Sequence, residues 1–263
     1  MFISIIGVGV VGSALKKLFS RDAKNVIFSL DLHNLSKKKK IELSDIIYVC
    51  LPTNLKKNKL DTKLIEKYLF YLNKKKFKNI IVIKSTLNPG DTEKFKKKYK
   101  FLKKIVFCPE FLRERSAYKD LINQKNLIIG TESKSSAKII IKNHEKCTIS
   151  KITICKSTEA EMIKLFSNAY NACRIIFAIS FAKSLKSLSD KSIKYDSILK
   201  NYLNLGFSSG KYLKASNKIQ GFSGKCLPKD LQTLNNFSKK MKIKFFQNII
   251  DENNKFKKTI IKK

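Results

Sequence analysis

Short runs of continuously apolar residues alternate with lysine-rich stretches through the first half of the chain. The runs at 2–6, 26–30, 46–51, 79–84, 105–108 and 127–129 have the length of strands, and patterns with helical spacing, such as 61–75 and 92–99, separate most of them. Strands that are apolar at every position are buried on both faces, which points to a parallel sheet with helices against each side. The first half therefore predicts a doubly wound α/β domain. At Ser157 the pattern changes. STEAEMIKLFSNAYNACRIIFAISFAKSLKSL runs to residue 188 with neither Gly nor Pro, and predicts one long helix. Ser157 is a candidate N-cap, with Glu159 and Glu161 in the first turn, where the helix dipole favours acids. More helix to about residue 205, a glycine-bearing loop and a further helix follow, so an all-helical region is expected after the sheet. The terminal NNKFKKTIIKK reads as a fraying end.

Composition limits what such a chain can do. Its 263 residues, 43% of them hydrophobic, suffice for a substantial core and exclude a disordered tail. The 56 Lys+Arg against 20 Asp+Glu give a net charge of +36, which suits anionic partners. The basic residues are spread evenly, however, so a solvated surface explains them equally well. Cysteines at 50, 108, 147, 155, 173 and 226 form no CxxC pair, and only His33 and His144 could join them, so neither a metal site nor a disulfide framework is expected. The apolar opening lacks the basic segment of a secretion signal, and runs such as IIFAISFA fall short of a membrane span. A soluble protein of the reducing cytoplasm is the expectation.

Three groups of residues carry candidate chemistry. Gly7-Val8-Gly9-Val10-Val11-Gly12 stands between the first strand and a helix. In a dinucleotide fold the first glycine makes the tight turn, the second lets backbone approach the pyrophosphate, and the third lets helix and strand pack closely. The phosphate then meets the helix N-terminus at Val10 and Val11. Asp31 ends the second strand about 20 residues on, placed for a ribose hydroxyl, and its carboxylate favours NAD over NADP. Lys164 and Asn168, four apart on the long helix, share a face and could hold an oxygen that gains negative charge. The third group is GFSGKCLPKDLQTL, in which Pro228 suits the first turn of a helix and places Cys226 at its N-terminus. Helix amides together with Lys225 and Lys229 would favour the nucleophilic thiolate, and Asp230 lies close enough to act on a water. The other cysteines sit mostly in apolar runs and read as core.

The segments IIGVGVVG, VCLPTN, IVIKSTLNPGDT, FCPEFLRERSAYKDL, STEAEMIKLFSNAYNA and GFSGKCLPKD resemble, in this order, the motifs of the UDP-glucose/GDP-mannose dehydrogenase family. The resemblance implies a Rossmann-like NAD-binding domain over 1–155, a helical central domain over 156–254 for catalysis and dimerisation, and a basic tail over 255–263. It also implies NAD-dependent four-electron oxidation of the C6 hydroxyl of a nucleotide sugar to the uronic acid. Cys226 would form a thiohemiacetal and then a thioester. Lys164 and Asn168 would stabilise the oxyanion, Asp230 would assist through a water, and Glu110 would position the hydrolytic water. Thr53, Thr86 and Glu114 would line the nicotinamide side, while Phe111, Leu112, Arg113, Gly221 and Gly224 would contact the substrate. Relatives dimerise across the long helix, so a homodimer is implied.

Departures from the family pattern accompany the match. Pro52 and Thr53 follow Asp31 within about twenty residues, so one strand-helix unit is missing or shrunken, and Ser223 stands where the family commonly has glycine. The chain ends where the family's C-terminal UDP-binding domain would begin, which implies a short form. Three alternatives accompany the active dehydrogenase: a degenerate relative that binds NAD without turnover, a 3-hydroxyacid dehydrogenase, and a basic nucleic-acid-binding protein. The 3-hydroxyacid class has no need for Cys226 or the LPKD after it, and nucleic-acid binding leaves all six motifs unexplained.

Overall fold

β1 (Phe2–Ile6) opens the chain and turns directly into α1 (Val10–Phe19). The computed structural model describes residues 1–30, 40–57, 59–215 and 220–256. β2 (Val26–Leu30) and β3 (Ile46–Val49) follow, then a short ribbon of β4 (Leu55–Lys56) and β5 (Lys59–Leu60). Alternation then continues through α2 (Lys63–Lys74), β6 (Ile80–Ile83), α3 (Asp91–Lys98), β7 (Ile105–Phe107), α4 (Ala117–Ile122), β8 (Asn126–Gly130), α5 (Lys134–Asn143) and β9 (Lys151–Cys155). Among the described residues these strands form a seven-stranded sheet in the order β2-β1-β3-β6-β7-β8-β9.

The register is pinned by β-branched residues buried on both faces. Ile3 pairs with Ile46, Ile46 with Ile80, and Ile81 with Ile105. One face packs Ile6, Val49, Ile83 and Phe107 against Leu69 of α2 and Phe95 of α3. The other packs Ile5, Tyr48, Val82 and Val106 against Leu15 of α1 and Ile140 of α5. The doubly wound reading therefore holds, with one refinement: β7 and β8 meet antiparallel, through Phe107 and Gly130, while every other neighbour in the sheet is parallel. An apolar run reports burial on both faces and carries no direction, so the pattern is blind to this reversal. β9 was not foreseen because it is an edge strand, with Ile152 and Ile154 about half exposed between polar neighbours.

The chain divides into two compact units, Met1–Lys56 with Leu60–Lys164, and Lys57–Lys59 with Leu165–Lys263. α6 (Ser157–Ser184) runs out of the first into the second, where α7 (Tyr195–Asn204), α8 (Leu227–Ser238) and α9 (Phe245–Phe256) follow. Two details of the sequence reading need correction. Ser157 does not cap α6: it is the first residue of the helix, and its hydroxyl donates to the carbonyl of Gly130 at 3.0 Å. That contact is possible because a Cβ on Gly130 would lie 2.8 Å from Cβ of Ala160 and 2.9 Å from Cα of Ser157, so glycine alone permits the approach. Of the expected fraying end, 253–256 lie inside α9, with Asn253 and Phe256 buried, and 257–263 lie outside the described residues.

Candidate active site

The first unit holds a glycine cradle. Gly7 has φ +93°, which disfavours any side chain, and a Cβ there would sit 2.5 Å from the carbonyl oxygen of Cys50. A Cβ on Gly12 would lie 1.9 Å from the carbonyl oxygen of Gly7, so the turn and the start of α1 are in contact. Gly9 is different. It stands at the N-cap of α1 with no atom within 4 Å of an added Cβ, and no side chain among the described residues caps the helix. Val10 is exposed, and the amides that start a helix at Val10 and Val11 suit an anionic pyrophosphate. Asp31, the expected ribose ligand, lies outside the described residues.

At the carboxyl ends of β3 and β6, Thr53 is buried and its hydroxyl donates to the carbonyl of Thr86 at 2.8 Å, so those two expected cofactor neighbours are tied together. The loop after Thr86 is fixed by Glu161. Its carboxylate accepts from the amide of Gly90 at 2.6 Å, the amide of Thr92 at 2.9 Å and the hydroxyl of Thr92 at 2.6 Å. Glu161 is fully buried, and burial pushes its carboxyl up against the opposing pull of those three bonds. It caps α3 from another helix, a tertiary role that reading it as a first-turn acid missed.

After β7 the chain makes the turn that carries Glu110. One oxygen of its carboxylate accepts from the amide of Leu112 at 2.7 Å and the other lies 3.4 Å from Nζ of Lys164. The same ammonium, on a side chain 6% exposed, donates to the carbonyl of Glu110 at 2.5 Å and sits 5.1 Å from the ring centre of Phe111. The structure thus brings Lys164 and Glu110 together, a pairing that sequence spacing did not indicate. Arg113 is held in a two-pronged pair with Asp120, at 2.7 and 3.0 Å, and that guanidinium holds the Asp120 carboxyl well below the usual range. Glu114 is exposed in a single turn of tight helix beside it. Burial pushes the Cys50 thiol up to about 12, which disfavours its thiolate.

The second unit holds the thiol. Cys226 is exposed and stands at the N-cap of α8, whose second residue is Pro228. Its carbonyl accepts from the amide of Asp230 at 2.9 Å, the first bond of the helix. Asp230, fully buried, accepts from the side-chain amide of Asn168 at 2.5 Å and has Nζ of Lys229 3.7 Å from its other oxygen. Asn168 in turn stands one helical turn beyond Lys164 on α6. The loop before Cys226 bends through Gly221 and Gly224, with φ of +79° and +82°. Gly221 is needed doubly, since a Cβ there would meet Oδ1 of Asn253 at 2.7 Å. Asn253 of α9 holds both polar groups of the Phe222 backbone: its Oδ1 accepts from the amide at 2.7 Å, and its Nδ2 donates to the carbonyl at 3.1 Å.

Comparison with known proteins identifies the family. Residues 30–148 match the NAD binding domain of the UDP-glucose/GDP-mannose dehydrogenase family, and residues 158–255 match its central domain. The chain is 32% identical to the UDP-glucose 6-dehydrogenase of Campylobacter jejuni over 89% of its own length and 67% of the relative's. It is 34% identical to the UDP-N-acetyl-D-mannosamine dehydrogenase of Methanocaldococcus jannaschii over 57% of its length and 36% of the relative's. In fold it is similar to a UDP-glucose dehydrogenase from Pyrobaculum islandicum, with a TM-score of 0.80 at 20% identity, covering 96% of this chain and 68% of that one.

Proposed function

The chain belongs to the UDP-glucose/GDP-mannose dehydrogenase family, and from that premise we propose that it oxidises the C6 hydroxyl of a nucleotide sugar to a carboxylate through a covalent intermediate on Cys226. The cofactor class is NAD, which fits the glycine cradle at Gly7, Gly9 and Gly12 and the helix start at Val10 and Val11. NAD bound there would accept one hydride from the sugar carbon, and the four-electron oxidation would use two NAD+ in succession.

The chain's own residues do the rest. Once C6 is an aldehyde, the Cys226 sulfur adds to it, and the carbonyl electron pair moves to oxygen, giving a thiohemiacetal. Loss of the C6 hydride and of the hydroxyl proton converts it to a thioester. Water then adds to that carbonyl, the carbon–sulfur bond breaks, and the acid leaves with the thiol restored. Lys164 and Asn168 stabilise the oxygen as it gains negative charge. Asp230 serves through a water, and its contact with Asn168 fixes the direction in which that amide donates. Glu110 positions the hydrolytic water, Thr53, Thr86 and Glu114 line the nicotinamide side, and Phe111, Leu112, Arg113, Gly221 and Gly224 contact the sugar nucleotide.

One observation carries the reading: an exposed thiol at the N-terminus of α8, with a buried Asp230 one turn on that is bonded to the Asn168 amide at 2.5 Å. We assign the active protein to the cytoplasm as a homodimer formed across α6, whose Phe166, Tyr170, Phe177 and Phe181 are exposed. The test is NADH formation by the intact chain and by Cys226→Ala with a panel of UDP- and GDP-sugars. The expected outcome is two NADH per sugar for one substrate, with no acid formed by the variant. A protein that binds NAD but forms no NADH with any of them refutes the reading.

A further inference from the structure

Lys84 follows β6 directly, and Cys108 follows its neighbour β7, so the pairing of Ile83 with Phe107 places the two next to each other at the carboxyl edge of the sheet. That edge is where open α/β sheets hold their ligands. Lys84 is 5% exposed, and its Nζ donates to Sγ of Cys108 and to the carbonyl of Pro109, both at 3.4 Å. Among the described residues no carboxylate forms an ion pair with it. A buried ammonium held by neutral acceptors alone is unfavourable, and an apolar side chain of similar volume is often neutral or stabilising in its place. Packing therefore gives no reason for a lysine here.

The geometry suggests another reason. The carbonyl of Pro109 takes a bond from Lys84, and the next carbonyl, of Glu110, takes one from Lys164 at 2.5 Å. Two buried ammoniums thus grip successive carbonyls of the turn that presents the Glu110 carboxylate. We propose that Lys84 is a positioning residue for hydrolysis of the Cys226 thioester: it fixes the peptide between Pro109 and Glu110, and through it the carboxylate that orients the attacking water. The inference rests on the function proposed above. A displaced carboxylate slows the water step, whereas the earlier oxidation draws on Lys164, whose own bond to the Glu110 carbonyl a change at Lys84 leaves in place.

The experiment uses the full chain with a nucleotide sugar that the parent oxidises, and compares Lys84→Met and Lys84→Arg. It reads the rate of the first NADH, the steady-state rate, the fraction of chain carrying the acyl group by intact mass, and the melting temperature. For Lys84→Met the first NADH should form within about twofold of the parent rate, while the steady state falls at least about tenfold and acylated chain accumulates. Its melting temperature should be no lower than the parent's, and Lys84→Arg, which keeps the charge and the donors, should recover most of the steady-state rate. A parent-like steady state in Lys84→Met, a first step slowed in the same proportion, or a marked drop in its melting temperature each overturns the inference. No NADH from the parent overturns the functional reading, and this inference with it.

Discussion

Gly9 and Gly12 lie three residues apart and carry opposite constraints. Gly12 has the carbonyl of Gly7 1.9 Å from any added Cβ, so Gly12→Ala must push the turn away from α1. Gly9→Ala adds its methyl to open space at a negative φ of −79° and leaves the fold unstrained. We therefore expect Gly9→Ala to melt within a few degrees of the parent yet to bind NAD at least about tenfold more weakly in calorimetry, because the methyl occupies the approach to the pyrophosphate. Gly12→Ala should lose stability first, by about 1–3 kcal/mol as for other overpacked contacts. Equal melting of the two variants would contradict this division of roles. The division was legible in the order of the glycines, because the constraint is local: a strand, a turn and a helix allow few paths. Glu161 was not. Its partners Gly90 and Thr92 are 71 and 69 residues away, and no spacing rule connects them. Lys84 was hidden for the related reason that a buried lysine in a lysine-rich chain looks like any other.

At the scale of elements, the sequence showed which segments are strands or helices better than it showed what each helix supports. Mostly apolar runs gave β1 and β2 their observed limits, and GKCLPKD gave α8 its start at Leu227, since apolar patterning and Pro near a helix start act within a few residues. α9 shows the opposite case. Its composition reads as a loosening end, yet Asn253 satisfies the amide and carbonyl of Phe222 as a neighbouring strand would. Phe222 precedes Cys226 by four residues in a loop bent through two glycines with positive φ, so α9 holds the loop that carries the thiol. Asn253→Asp keeps the acceptor for the Phe222 amide, while its carboxylate faces the carbonyl that formerly received a bond. The expected result is loss of about 1–3 kcal/mol in urea unfolding, the usual consequence of stranding a buried polar group, and faster hydrogen exchange at the Phe222 amide and its neighbours. Parent-like exchange in that loop would show that α9 does not secure it.

For the whole molecule, the question is how a chain of net charge +36 could associate with its own copy. The second unit presents a row of aromatic residues along α6. Phe166 stacks on Tyr170 at 5.9 Å and Phe177 on Phe181 at 6.0 Å, and Phe166 and Phe177 are each more than 60% exposed. In the same unit a cavity of about 940 Å³ is lined by Tyr170, Phe177, Phe181, Tyr195 and Tyr202. Spacings of four, seven and four residues keep this row on one stripe of the helix, and a stable pair buries about 800 Å² on each copy. The apolar term therefore favours pairing, and the charge opposes it. Salt separates the two, since the repulsion between copies is screened over about 10 Å at 0.1 M while burial of aromatic surface is left intact or strengthened. Homodimerisation should tighten as salt rises in sedimentation velocity, and Phe177→Asp should abolish it while NAD binding persists. An assembly held by basic residues on an anion would behave in the opposite way and loosen steeply with salt. A dimer that dissociates as salt rises would thus assign the association to the charge and remove α6 as its seam.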